Sequence, residues 1–228
     1  MTIPTFKPAL FDFLRELKAN NERSWFEANK ARYLADVRDP MLDFIAAFAE
    51  PLAEISPHFV ADPRANGGSL FRIYRDTRFS PDKRPYKTNA GAHFRHAAGK
   101  DAHAPGFYLH LEPDSCFAAC GIWRPDGEAL ADIRNAIVED PAGWQRIAQA
   151  KAFRDTFTLM GQSLKRPPRD YDAAHPLIED LKRKDFIAGT TFHEADATQP
   201  DFLQRFTQIA RRTAAFVAFL SRAVGVAF

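Results

Sequence analysis

The densest chemistry in the chain lies in the run Phe71-Arg72-Ile73-Tyr74-Arg75-Asp76-Thr77-Arg78-Phe79-Ser80-Pro81-Asp82-Lys83-Arg84-Pro85-Tyr86-Lys87-Thr88-Asn89. From Arg64 to Arg95, eight Lys or Arg side chains stand against Asp76 and Asp82 alone, a net charge of +6 in a chain whose formal total is only +2. Charge is therefore segregated, and local segregation governs binding more than the total does. Guanidinium groups grip phosphate or carboxylate through two parallel hydrogen bonds. If Leu70–Tyr74 is a strand, Arg72, Tyr74 and Asp76 share one face and Ile73 and Arg75 the other. Ser80-Pro81-Asp82-Lys83 suits a type I turn that returns Lys83 toward Arg78. Arg75, Arg78 and Lys83 are then expected to converge, and Tyr74 and Tyr86 offer rings for a base or sugar. The candidate ligand-binding set is Arg72, Arg75, Asp76, Arg78, Asp82, Lys83, Tyr86 and Lys87. The chemistry fits an anionic ligand: a phosphorylated small molecule, a nucleotide or nucleic acid.

Other readings of the same residues stay open. Asp76 and Asp82 could be clamped by arginines, with Glu16, Glu22 and Glu27 of the first helices neutralising the rest, which makes the segment an internal ion-pair lattice. The basic face could dock an acidic protein without catalysis. Or Asp76 or Asp82 could serve as acid or base beside the cations, which favour the ionised carboxylate and hence a base.

Elsewhere the signals are weaker. His93, His96, His103 and His110 fall close together, with His175 and His193 later, but no spacing matches a metal signature, and solvated loop histidines are the default. Cys116 and Cys120 are expected to be reduced and buried: four apart on a strand, they stand about 13 Å apart, too far to bridge. Asn66-Gly67-Gly68-Ser69 precedes a strand rather than a helix, so it is no phosphate loop. No dinucleotide fingerprint or nucleophile elbow is present, and neither a cofactor nor a metal is expected. Lys165-Arg166-Pro167-Pro168-Arg169 is a second basic cluster, read as a solvated loop.

The elements that must position these residues follow from periodicity. Leu10, Phe13, Leu14 and Leu17 recur at helical spacing. Asn20-Asn21 reads as the end of that helix and the cap of the next. Asp39-Pro40 reads as the start of a third, carrying Met41, Phe44, Ile45, Phe48 and Leu52, which Pro51 is expected to kink or shorten. The middle turns extended: Leu70–Tyr74, Ala90–Phe94, Gly106–Leu111 and Cys116–Trp123, separated by turn residues too few for parallel crossovers. Pro125-Asp126-Gly127 and Asp140-Pro141 open helices. Phe157–Met160 and Phe186–Phe192 are further strands. A last helix begins near Pro200, and its Phe202-to-Leu220 stripe completes a core more simply than it meets a membrane. Helices first, strands clustered and helices last give an α+β fold: a single domain over residues 1–228, with an antiparallel or mixed central sheet flanked by amino- and carboxyl-terminal helices.

Composition bounds the rest. With 46% hydrophobic, 26% charged and 13% aromatic residues in 228, the chain reads as globular rather than disordered. Its longest apolar run, Ala214–Leu220, is far below the ~20 residues of a membrane span. Met1 to Leu10 lacks an apolar core, and two cysteines make no disulfide framework, so a cytoplasmic setting is expected.

Four blocks resemble the uncharacterised family known as domain of unknown function 2461. They are Phe13-Leu14, Asn20-Asn21, Trp25-Phe26, Asn29-Lys30 and Tyr33; then Arg75 to Ser80 running into Asp82-Lys83, Pro85-Tyr86-Lys87-Thr88 and Gly91. The third holds Gly121, Pro125, Leu130 and Ile133-Arg134, and the fourth Leu164 to Pro167, Tyr171, His175-Pro176 and Leu181-Lys182. The resemblance implies one compact unit across these blocks. It implies no activity, ligand or catalytic residue.

Overall fold

The computed structural model of the chain describes residues 5–99 and 104–228. His103 and part of the Gly99-to-Gly106 turn lie outside the described residues.

The first helix, α1 (Pro8–Ala19), buries Leu10, Phe13, Leu14 and Leu17 as their spacing requires. Asn20 ends it at φ −126° and ψ 53°, not in the left-handed region. Asn21 does not cap α2 (Arg23–Ala28), whose N-cap is Glu22. Its amide instead reaches 65 residues along the chain: Nδ2 donates to the Tyr86 carbonyl and Oδ1 accepts from the Tyr86 N–H, both at 3.0 Å. The side chain acts as a strand partner for an otherwise unpaired backbone.

The short helix α3 (Lys30–Arg32) runs through a π-helical stretch, Tyr33–Arg38, straight into α4 (Asp39–Ile55). α4 does begin at Asp39-Pro40, but Asp39 is not a non-helical cap: Arg38 and Asp39 are both helical, because the wider π turns carry the chain across this junction. Pro51 does not shorten α4, which continues to Ile55.

The sheet has the order β1-β2-β3-β5-β4, all neighbours antiparallel: β1 (Ala90–Arg95), β2 (Gly106–Leu111), β3 (Cys116–Ile122), β5 (Phe186–Phe192) and β4 (Thr158–Met160). Between β3 and β4 come α5 (Gly127–Glu139), α6 (Pro141–Ala148) and α7 (Lys151–Arg154). Asp126 and Asp140 cap the first two, accepting from Ala129 N at 2.9 Å and Gly143 N at 2.8 Å. Short helices α8 (Ile178–Leu181) and α9 (Glu194–Ala197) flank β5, and α10 (Phe202–Ala223) closes the fold. This is the α+β arrangement that the order of elements predicts.

Strand alternation divides the sheet into two unlike faces. One carries Phe94, Phe107, Leu109, Leu111, Cys116, Ala118, Cys120, Phe186 and Ala188, all buried. It meets α4 and α10 through a cluster of phenylalanines. Phe48 packs on Phe94 at 4.7 Å and on Phe206 at 4.9 Å between ring centroids, both edge-on. Both cysteines lie here, free and buried, and burial pushes the Cys116 thiol up to about 11 and the Cys120 thiol up to about 12. Neither is a reactive thiolate at neutral pH. The other face is the floor of the site.

Candidate functional site

In register across the open face run His93, Tyr108, Ala119 and Gly189, one from each of β1, β2, β3 and β5. Beside them lies the row Gly91, His110, Phe117 and Thr191. Small residues hollow this surface. At Gly91 a Cβ would stand 2.5 Å from the Tyr108 hydroxyl, so only glycine lets that phenol lie across β1.

The basic segment forms one wall. Leu70–Tyr74 is not a regular strand. Leu70 bridges to Ala92 and Tyr74 to Tyr86, and Phe71 N donates to Gly91 O at 2.9 Å. Pro85 lacks the N–H a continuous ladder needs, so the backbones of the two limbs of this arm are joined by Arg75 N to Pro85 O, 2.9 Å, and Lys87 N to Ile73 O, 2.7 Å. Phe26 of α2 stacks on Tyr86 at 4.1 Å and 19°, pinning the arm to the helices. The opposite wall is Trp123, Met160 and Gly161 at the far side of the sheet. Between the walls lies a cleft of about 670 Å³, floored by Tyr108, His110, Phe117, Ala119 and Ile187 and rimmed by Phe71, Arg75, Asp76, Lys87, Asn89 and His93. Its size and mostly apolar lining are those of a small-molecule site.

Of the candidate residues, Arg75, Asp76 and Lys87 line this cleft. The others do not, and the expected convergence of Arg75, Arg78 and Lys83 on one anion gives way to separate local partners. Arg78 clamps Asp76 through Nε at 3.0 Å and Nη2 at 2.7 Å. Arg84 clamps Asp82 in the same i, i+2 manner, and Arg75 adds a third guanidinium contact to Asp82 at 2.5 Å. Lys83 Nζ donates to the Thr77 carbonyl at 2.9 Å. Tyr86 is buried in the core and offers no ring to a base. Arg72 is exposed and close enough to Lys87 for its charge to be felt there. An Asp two residues before an Arg neutralises it locally, so Arg78 and Arg84 are not free to grip an anion, while the net excess of positive charge, which already counts both aspartates, remains on the other cations.

These clamps have a pH signature. Hydrogen bonds from Arg78 hold the Asp76 carboxyl down to about 2, and those from Arg84, then Arg75, hold Asp82 lower still. A carboxyl with a depressed folded pKa contributes stability above its unfolded value, ~3.9, and loses it as pH falls through the folded value. The arm is expected to stay ordered down to about pH 4 and to loosen between there and about pH 2, as followed by NMR resonances of Tyr74 and Arg84. Loss of order above pH 5 would contradict the clamps. Carboxylates held so low are weak bases, which disfavours Asp76 and Asp82 as acid–base groups near neutral pH.

Lys87 stands apart. Its ammonium lies 5.1 Å above the Phe71 ring, and among the described residues no carboxylate comes within ion-pair distance of it. Burial first, and the charge of Arg72 second, lower its pKa from the ordinary lysine value.

His93, His96 and His110 are not solvated loop residues, whereas His193 is exposed at the N-cap of α9. His93 and His96 are buried. His96 reaches the Ala227 carbonyl at 2.9 Å, and His110 sits in a hydrogen-bonded chain on the cleft floor. The tyrosine hydroxyl of Tyr108 lies 2.9 Å from His110 Nδ1, His110 Nε2 lies 3.3 Å from Glu112 Oε2, and Thr88 Oγ1 donates to Glu112 Oε1 at 2.7 Å. Tyr108 and Glu112 go unnoticed in a reading by motif. Their signal is the alternation Tyr108-x-His110-x-Glu112, which puts three polar groups on one face of a strand. Among the described residues no group of His, Cys, Asp or Glu is placed to hold a metal, and no helix is long and apolar enough to cross a membrane.

The family model described as "Conserved hypothetical protein (DUF2461)" matches residues 9–219, a span that takes in the arm, all strands of the sheet and most of α10. No curated protein and no solved structure matches the chain.

Proposed function

Because the chain belongs to the DUF2461 family of conserved hypothetical proteins, whose description carries no chemistry, we propose a function from the cleft alone: it binds a small organic anion, an apolar and preferably aromatic body carrying a phosphate or carboxylate. The observation that carries this reading is Lys87, a half-buried ammonium without a carboxylate partner among the described residues, set in the wall of an aromatic cleft. A desolvated cation is costly until an anion pairs with it. Phe117, Tyr108 and Ile187 supply the floor for the body, and Arg72 adds a second positive charge near the head group. Concavity favours a small ligand over a nucleic-acid strand or an acidic protein, which a flat basic face would suit better.

The test is titration calorimetry with 2-naphthyl phosphate, with inorganic phosphate and a single-stranded oligonucleotide beside it. One-to-one binding of the aryl phosphate, tighter than either comparison, is expected. At a hundredfold excess over Kd it adds about 2.7 kcal/mol of stability, which raises the thermal midpoint by roughly 5–10 °C. Equal responses to inorganic phosphate and the aryl phosphate, or a response to the oligonucleotide alone, would contradict the reading.

A further inference from the structure

We propose that the cleft is an active site for proton abstraction, in which Tyr108 is the catalytic base toward an acidic hydrogen of the bound organic anion and His110, oriented by Glu112, takes the proton that Tyr108 gives up. This rests on the cleft being a ligand site. The hydrogen-bond network fixes the direction of transfer. A carboxylate only accepts, so His110 Nε2–H donates to Glu112, which Thr88 holds from its other oxygen. The Nδ1 lone pair is then left to accept from the Tyr108 O–H at 2.9 Å. This is the logic of a nucleophile–histidine–carboxylate triad with a phenol in the first position.

The surroundings fit the task. Phe117 stacks on the His110 ring at 4.5 Å and 17°, holding its plane. Burial lowers the His110 pKa from its ordinary value against the opposing pull of Glu112, so the imidazole is neutral and ready to accept. Burial also raises the Tyr108 pKa, so a free phenolate does not form. The two transfers must therefore be concerted. The ligand X–H bond breaks and a new Tyr108 O–H bond forms, while the old Tyr108 O–H bond breaks and His110 gains Nδ1–H. The electron pair stays on the ligand, and the imidazolium is balanced by Glu112. Tyr108 precedes His110 on β2 and Glu112 follows the end of that strand, Phe117 on β3 is uncharged, and Arg75, Asp76, Lys87 and His93 line the same cleft.

Benzenesulfonyl fluoride tests the relay without using Lys87, because it is uncharged. Its reaction forms a Tyr O–S bond, breaks S–F, releases fluoride and passes the phenolic proton to His110. Peptide mass mapping is expected to place the label on Tyr108. The rate should rise with pH through a midpoint below ~6.5, the ordinary histidine value, and stay flat to about pH 9. His110→Asn should lower the rate about 100-fold and remove the step. Glu112→Gln should move the midpoint lower still. The wild-type profile needs no variant to fold. Labelling spread over Lys87 or the exposed Tyr74, or a Tyr108 rate that climbs steadily with pH like a free phenol, overturns the relay. If 2-naphthyl phosphate binds and Tyr108 is inert, the relay alone falls. If Tyr108 reacts with the histidine profile while the aryl phosphate does not bind, the relay stands and the anionic ligand class falls.

Discussion

Lys87→Met is expected to lower the affinity for 2-naphthyl phosphate by about 10- to 100-fold while leaving the unliganded protein as stable as the wild type or more so. The two effects have opposite signs for one reason. A charge-assisted hydrogen bond to the head group contributes about 1.5–3 kcal/mol, which is that range of affinity. In the free protein the same charge is held against burial and against Arg72, with its folded pKa below the unfolded value. A lysine so placed destabilises the charged fold, and stability is gained as pH rises through the folded pKa toward the unfolded one. Methionine keeps the unbranched stem against Phe71 and removes the charge. Calorimetry gives the affinity and thermal denaturation the stability. A variant that loses stability and keeps its affinity would show that Lys87 is a structural residue.

Gly121→Ala is expected to be among the most damaging single-methyl changes in the chain. Gly121 sits in β3 beneath the cleft at φ +113°, a region that side-chain-bearing residues rarely adopt. A Cβ there would stand far inside van der Waals contact distance of the Phe186 carbonyl oxygen on β5, and backbone cannot swing away as a flexible side chain can. Strain and overpacking together cost about 2–4 kcal/mol, or roughly 5–15 °C in the thermal midpoint for a domain of this size. Gly127→Ala is the matched control, since nothing lies within 4 Å of its added methyl. Equal midpoints for the two variants would contradict the described backbone at β3.

The strands were legible because each is written locally. Gly106–Leu111 and Phe186–Phe192 run between turn residues, and their observed limits coincide with the limits that composition suggests. The capped helices at Asp126 and Asp140 were legible for the same reason. The arm was not. Its shape depends on the Asn21 amide pairing with Tyr86 and on the Phe26 ring beneath it, contacts that no local pattern encodes. Charge counting pointed to the segment that walls the cleft but not to which of its cations are paired, because that depends on the Asp76–Arg78 and Asp82–Arg84 clamps. Lys87 was distinguishable from its neighbours only once burial was known. The floor was hidden differently. Tyr108 and His110 alternate on β2 with Glu112 just past its end, yet which face of that strand lies open depends on where α4 and α10 pack, and that is set by residues far away in sequence.

The most direct measurement is the structure of the protein with 2-naphthyl phosphate bound. The phosphate is expected within hydrogen-bond distance of Lys87 Nζ, about 2.7–3.0 Å, with the naphthyl ring between the two walls and over Phe117 and Tyr108. A phosphate held instead by Arg78 and Arg84 on the outer side of the arm, with the cleft empty of the ring, would contradict the cleft as the binding site.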